Sequence, residues 1–305
     1  LSGGRAAAAP LRLGKDIYQS IGVRPVINCK GTFTIISGSL TLPEVKQAME
    51  DASRHYVHLD ELMAAVGKRL AELTQAEYGI VTAGCAAALT HATAASIAGA
   101  DPEKLQRLPD LNGLKSEVIV PRYSRNVYDH AVRMLGVRIV EVNSLEEYEQ
   151  AFSGKTAMVM ILAGSNDDGP LGVEPLSRIA KTKRVPVIVD AAAEHLVIPN
   201  PHLGRGADMV AYSGGKCIRG PQCAGLLLGR KDLLEAAWLH SAPHHAFGRS
   251  MKVGKEEIMG MLAAVEMWVK RDHDAEWKQW ESWLDTIARR VKKIDGVTTE
   301  ALQPG

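Results

Sequence analysis

The chain has 305 residues, 46% of them hydrophobic and 23% charged, and a formal charge of +1. This balance supports a large core in one main domain plus part of another, and it excludes disorder and collagen-like order. It leaves no overall basic field to draw nucleic acid or an anionic membrane non-specifically, so any partner must be read from a site.

Residues 1–20 read as a leader or arm, with Gly4 to Pro10 either an Ala-rich disordered stretch or the small-residue tail of an export signal cut upstream. Four cysteines, Cys29, Cys85, Cys217 and Cys223, have no CxxC pairing and no histidines at zinc-like spacing. Free thiols in a reducing, cytoplasmic compartment are the expectation, without a disulfide framework or a metal site. No apolar run approaches the roughly 18 to 20 residues of a membrane span, which predicts a soluble chain.

Residues 42–74 read as one helix opened by Pro43, with Val45, Met49, Leu62, Met63, Val66 and Leu70 at helical spacing. Short apolar runs follow at Glu117–Val120, Val137–Val142, Ala157–Leu162, Pro186–Val189, Met209–Tyr212 and Gly225–Leu228. Runs of this length between helical stretches suit strands covered on both faces, so the fold class is α/β with a mostly parallel sheet. Residues 21–245 form the expected major domain. Residues 246–305, rich in Trp268, Trp277, Trp280 and Trp283, read as connecting helices and the start of a smaller C-terminal domain. Both ends look incomplete, and a fragment is expected.

Three segments carry chemistry. Asp190 ends the run Pro186–Val189, and in open α/β sheets ligands sit beyond the carboxyl ends of strands, where a carboxylate can keep a pyridine-type nitrogen protonated. In isolation it reads first as a helix cap. Lys216, in Ser213-Gly214-Gly215-Lys216, lies between two apolar runs. An amine desolvated there has a depressed pKa and is free for imine formation and proton transfer, whereas a solvated hairpin turn is the bland alternative. Ser213 offers a hydroxyl to a phosphate. Finally, Val81 to Ala88, with Gly84, Cys85 and Ala86, is a small-residue loop opening an Ala-rich helix, whose free amides suit a phosphate or simply pack tightly. It lacks the Walker-type ending and the spaced glycines of a dinucleotide fingerprint.

In this order the segments resemble the fold-type I, aspartate-aminotransferase-like enzymes that use pyridoxal 5'-phosphate. Val26 to Thr32, Tyr128-Asp129-His130, Val189 to Glu194, Ser213 to Lys216 and Gly248 to Glu257 are similar to the family of bacterial L-seryl-tRNA(Sec) selenium transferase and its relatives, which include D-glucosaminate-6-phosphate ammonia-lyase. The likeness spans about Tyr18 to Glu266. It implies that Lys216 holds the cofactor as a Schiff base, that Asp190 pairs with the pyridine nitrogen, and that Gly84, Cys85, Ala86, Ala192 and Ser213 line the cofactor. A residue stacking on the ring is expected among Tyr123 and His130, the latter also readable as an ordinary helix histidine. Arg122, Arg249 and Lys252 are candidates for a substrate carboxylate or phosphate, or a solvated charged face.

A tRNA-specific N-terminal extension is not recognisable in the text, which favours a small-molecule amino acid or amino-sugar acid as substrate over tRNA. The expected reaction is α,β-elimination by an ammonia-lyase or dehydratase. Selenium transfer, racemisation, aldol cleavage and transamination share its early chemistry, and a non-catalytic protein that kept the fold is the alternative of another class. A homodimer or higher homo-oligomer is implied by the resemblance.

Overall fold

In the computed structural model, which describes residues 10–164 and 166–302, the six expected apolar runs are strands. The first nine residues of the expected leader lie outside the described residues. A further strand, β1 (Tyr78–Thr82), precedes β2 (Glu117–Pro121), β3 (Arg138–Val142), β4 (Thr156–Leu162), β5 (Val187–Asp190), β6 (Met209–Ser213) and β7 (Gly225–Gly229). Their order across one sheet is β1-β7-β6-β5-β4-β2-β3. Strands β3, β2, β4, β5 and β6 run parallel, and β7 is antiparallel to both β6 and β1. Residues of β4, β5 and β6 are almost wholly buried, as the continuous Val, Ile, Met and Ala runs require of strands covered on both faces.

The helices are α1 (Pro43–Ser53), α2 (Leu59–Thr74), α3 (Gly84–Ala98), α4 (Pro102–Arg107), α5 (His130–Arg133), α6 (Leu145–Gln150), α7 (Val173–Thr182), α8 (Pro201–Gly204), α9 (Lys231–Leu239), α10 (Lys255–Lys270) and α11 (His273–Val291). The single helix expected over 42–74 is therefore two. Continuing the stripe of Val45 and Met49 would bury position 56, but Tyr56 is fully exposed, and the chain leaves helical geometry between Arg54 and His58 before Met63, Val66 and Leu70 restart the apolar face. Likewise the helical stretch near the C-terminus breaks at Arg271 and Asp272, whose side chain caps α11 by accepting from Ala275 N–H.

Helix α3 decides where the site lies. It packs across β7, β6 and β4 and is buried on nearly every side, which suits a helix made of Ala, Thr and Leu. Thr93 and Ser96 satisfy their hydroxyls inside it by donating to the carbonyls of Leu89 and Ala92, and Thr90 donates across to Ala131 O of α5 at 2.7 Å. At the sheet's other flank α2 lies close on β1 because Gly67 faces the Tyr78 ring, where a Cβ would come within 2.3 Å of ring carbon.

Candidate active site

The carboxyl ends of β4, β5 and β6 form one edge, and the start of α3 abuts it. Strand β7 begins between β6 and β1, with Gly225 opposite Ser213 on one side and Thr82 on the other. A Cβ at Gly225 would stand 2.4 Å from the Gly84 carbonyl carbon and 2.6 Å from Cys85 N, so the bare glycine lets the first turn of α3 lie beside the Ser213 strand end. Gly84 itself takes a left-handed φ of 85°. No side chain caps the free amides of this turn, and Thr82 Oγ spends its proton on Gly84 O instead. An uncapped, small-residue helix start is a seat for an anion.

Asp190 is 5% exposed at the end of β5. One carboxylate oxygen accepts the Ala192 N–H at 3.1 Å and the Cys85 thiol at 3.6 Å, so Ala192 and Cys85 orient this acid. Burial pushes its pKa up, and the two donors and the charge of Lys216 pull it back down. Such a carboxylate gains from a cationic N–H partner. The Cys85 thiol is pushed well above its ordinary range by the same burial, which makes it a hydrogen-bond donor and not a nucleophile.

Lys216 sits in the connection from β6 to β7, half-buried. That connection is a hairpin in topology whose glycines are buried while Gln222 and Cys223 are exposed. Gly214 donates to Ala224 O and accepts from Gly220 N–H, and Cβ atoms at Gly214 and Gly215 would strike Ala224 O and Gln222 Cα at 2.8 and 2.7 Å. The backbone of Ser39 closes over it by donating to Gly215 O.

His130, at the start of α5, lines a cleft of about 420 Å³ together with Ala83, Ala86, Ala87, Tyr128 and Met251. The cleft thus shares the α3 start with Asp190, which meets Cys85 from the buried side. Tyr123 is placed differently, half-buried with its hydroxyl donated to Leu171 O and its pKa pushed up to about 12 by burial. Arg122 is exposed and faces Glu141 at 4.0 Å, away from this cleft's lining. Arg249 and Lys252 are exposed on either side of the cleft residue Met251. Sequence reasoning missed Gly225 and Thr82, whose importance is register, and Arg271, a partly buried guanidinium stacked 4.9 Å from the Trp268 ring centroid behind Cys217. A Gly opening a strand was the available signal for Gly225.

A family model described as class-V aminotransferases matches residues 62–300. The chain belongs to the class-V aminotransferase family. It is 32% identical over 299 residues to D-glucosaminate-6-phosphate ammonia lyase of Salmonella typhimurium, covering 94% of this chain and 78% of that one. It is 32% identical, over an equal span, to 5'-C-glycyluridine monooxygenase-decarboxylase of a Streptomyces species, covering 73% of that protein. An L-seryl-tRNA(Sec) selenium transferase of Proteus mirabilis is 23% identical over 83% of this chain and 58% of its own. A solved structure of D-glucosaminate-6-phosphate ammonia-lyase superposes with a TM-score of 0.78 at 33% identity, over 85% of this chain and 72% of that one. The aspartate-aminotransferase-like fold and the resemblance read from the motifs are thereby established, and this family member is an enzyme, a lyase or transferase, whose cofactor is pyridoxal 5'-phosphate.

The residues present fit that cofactor. Uncapped amides and the Ser213 hydroxyl suit a phosphate, a buried carboxylate suits a ring nitrogen, and a primary amine suits an aldehyde. No helix among the described residues is long and apolar enough to cross a membrane.

Proposed function

We propose that the protein is an ammonia-lyase or dehydratase that carries out α,β-elimination on a β-hydroxy amino acid or amino-sugar acid, with Lys216 as the cofactor lysine. The observation that carries this reading is the 32% identity to an ammonia lyase over 94% of this chain and 78% of that one, joined to a buried Asp190 whose pKa the charge of Lys216 helps to lower.

When bound, pyridoxal phosphate supplies an aldehyde that condenses with amines and a ring that draws electrons from the adjoining carbon. The α3 amides of Cys85 and Ala86 and the Ser213 hydroxyl would hold the phosphate end. Asp190, oriented by Ala192 N–H and the Cys85 thiol, keeps the ring nitrogen protonated. His130, which lines the cleft together with Ala83 and Ala86, would be the side chain to lie against the ring. Lys216 Nζ takes the proton from the substrate Cα and, as its conjugate acid, gives a proton to the departing β-hydroxyl. The balance is internal: one water leaves, one is consumed as ammonia is freed, and a keto acid remains. Arg249 and Lys252, exposed and near the cleft residue Met251 in sequence, would bind the substrate's carboxylate or phosphate.

A panel of β-hydroxy amino acids and phosphorylated amino-sugar acids, scored for keto acid and ammonia, tests the reaction. Lys216→Ala is expected to abolish turnover and the visible absorbance of the purified protein. Equal similarity to a monooxygenase-decarboxylase supports a second reading. Oxygen uptake and carbon dioxide release by the same panel, without ammonia, would establish that one. A titration with seryl-tRNA measures the selenium-transferase alternative. Two copies or more of the chain are proposed to form the working enzyme, and light scattering measures that directly.

A further inference from the structure

Three side chains from three separate connections converge beyond the sheet edge that carries Asp190. Asp167 comes from the loop after β4, Glu194 from the turn after β5, and His202 from α8, just before β6. One ligand-type atom from each lies within 4.8 Å of the other two. His202 is 2% exposed. Its Nε2 stands 2.6 Å from a Glu194 carboxylate oxygen, which fixes that nitrogen as the donor. The opposite nitrogen, Nδ1, has no hydrogen-bond partner among the described residues.

Nδ1 nevertheless faces a carboxylate. Asp167 Oδ2 lies 3.8 Å away, too far for a hydrogen bond. Two ligand atoms at ~2.1 Å on a tetrahedral metal are ~3.4 Å apart, close to this gap. A carboxylate on the far ring nitrogen is how metal-bound histidines are ordinarily held, because it sets the tautomer and raises the basicity of the ligating nitrogen. Asp167 is itself partly desolvated; its Oδ1 accepts the Gly164 N–H at 3.1 Å, while Oδ2, the oxygen facing Nδ1, has the Arg205 guanidinium at 3.9 Å, itself also paired with exposed Asp168. A buried ring nitrogen without a hydrogen bond, separated from a carboxylate oxygen by a gap of this width, suits a cation held between them.

We propose that Asp167, Glu194 and His202 form a site for a divalent transition-metal ion of nitrogen and oxygen preference, such as Zn²⁺, ligated by His202 Nδ1 and the Asp167 carboxylate and oriented through Glu194. Solvent completes the coordination. The ion ties the loops after β4 and β5 to the segment entering β6, so it holds the Ala191–Glu194 turn that follows Asp190. The donor set lacks sulfur, which separates it from the free cysteines elsewhere in the chain.

The test uses the cofactor-loaded enzyme stripped with chelator and titrated calorimetrically with ZnCl₂. The expected result is one site per chain that raises the melting temperature, is lost in Asp167→Asn, and weakens on the order of 10- to 100-fold in Glu194→Gln. Asp168→Asn, outside the ligand set, leaves it intact. Should Asp167→Asn fail to fold, Co²⁺ loading of the wild-type chain reads the ligands instead. Weak visible bands without an intense near-ultraviolet thiolate band support the site. Absence of stoichiometric binding, equal affinity in wild type and Asp167→Asn, or a thiolate band overturns it.

Discussion

Asp190 owes its value to a cost. Burial opposes its charge, and the Ala192 amide, the Cys85 thiol and the Lys216 ammonium only partly offset that. Asp190→Asn removes the buried charge while its amide oxygen still accepts the Ala192 N–H, so the cofactor-free variant is expected to melt no lower than wild type. Its turnover should nonetheless fall by orders of magnitude, because a neutral amide does not hold a proton on the ring nitrogen; calorimetry and keto-acid release check the two halves. His130 and Tyr123 divide just as clearly. His130→Ala is expected to shift the visible absorption of the loaded enzyme and lower turnover, since His130 lines the cleft beside Ala86. Tyr123→Phe loses only a hydroxyl committed to Leu171 O and should leave the spectrum unchanged.

At the level of elements, the site exists because α3 can touch β7. Gly225→Ala would put a methyl group 2.4 Å from the Gly84 carbonyl carbon, and backbone on both sides leaves nothing soft to yield. A destabilisation of about 1–3 kcal/mol is expected from such overpacking, together with weaker cofactor binding as the α3 amides shift; denaturant melts and a fluorescence titration with pyridoxal phosphate measure both. Helix α11 is the opposite case. None of its residues is buried, and Trp277, Trp280, Trp283, Leu284 and Ile287 lie on its exposed surface. Hydrogen exchange in α11 should outrun that in α3 by several orders of magnitude, because few buried contacts restrain its opening.

Across the whole molecule, acid sensitivity follows from two buried histidines, His91 on α3 and His240 at the end of α9. His91 is fully buried with neither ring nitrogen bonded, and Gly248 is compatible with it only because a Cβ there would fall 2.2 Å from its ring. Burial, and then the neighbouring His240, lower its pKa to about 3; burial lowers that of His240, which donates to Gly99 O, to about 4. Both stay neutral in the fold while the unfolded chain takes up protons near pH 6.5. The contribution is therefore intact above that pH and is lost as the pH falls from about 6.5 toward 3–4. His91 alone amounts to on the order of 3 kcal/mol by pH 4. Melting temperatures should drop steadily over this window, and His91→Gln should flatten the profile.

Strands β2 to β7, the carboxylate ending β5 and the lysine between β6 and β7 were legible in the sequence because each is a local fact, an apolar run bounded by a polar residue. The break between α1 and α2 was not, since the apolar spacing on either side of Tyr56 is good and only the absence of anything packed against that position interrupts it. Strand β1 was hidden by Gly79, a poor strand residue kept because a Cβ there would lie 2.8 Å from Leu70. By itself, then, the order of residues determined the α/β class, the family and the cofactor chemistry, all written in short contiguous motifs. Tertiary structure alone decided that Cys85 serves Asp190, that His130 and not Arg122 reaches the cleft, and that Asp167, Glu194 and His202 meet. Those relations join residues distant along the chain, and only the sheet order and its parallel crossovers bring them within bonding distance.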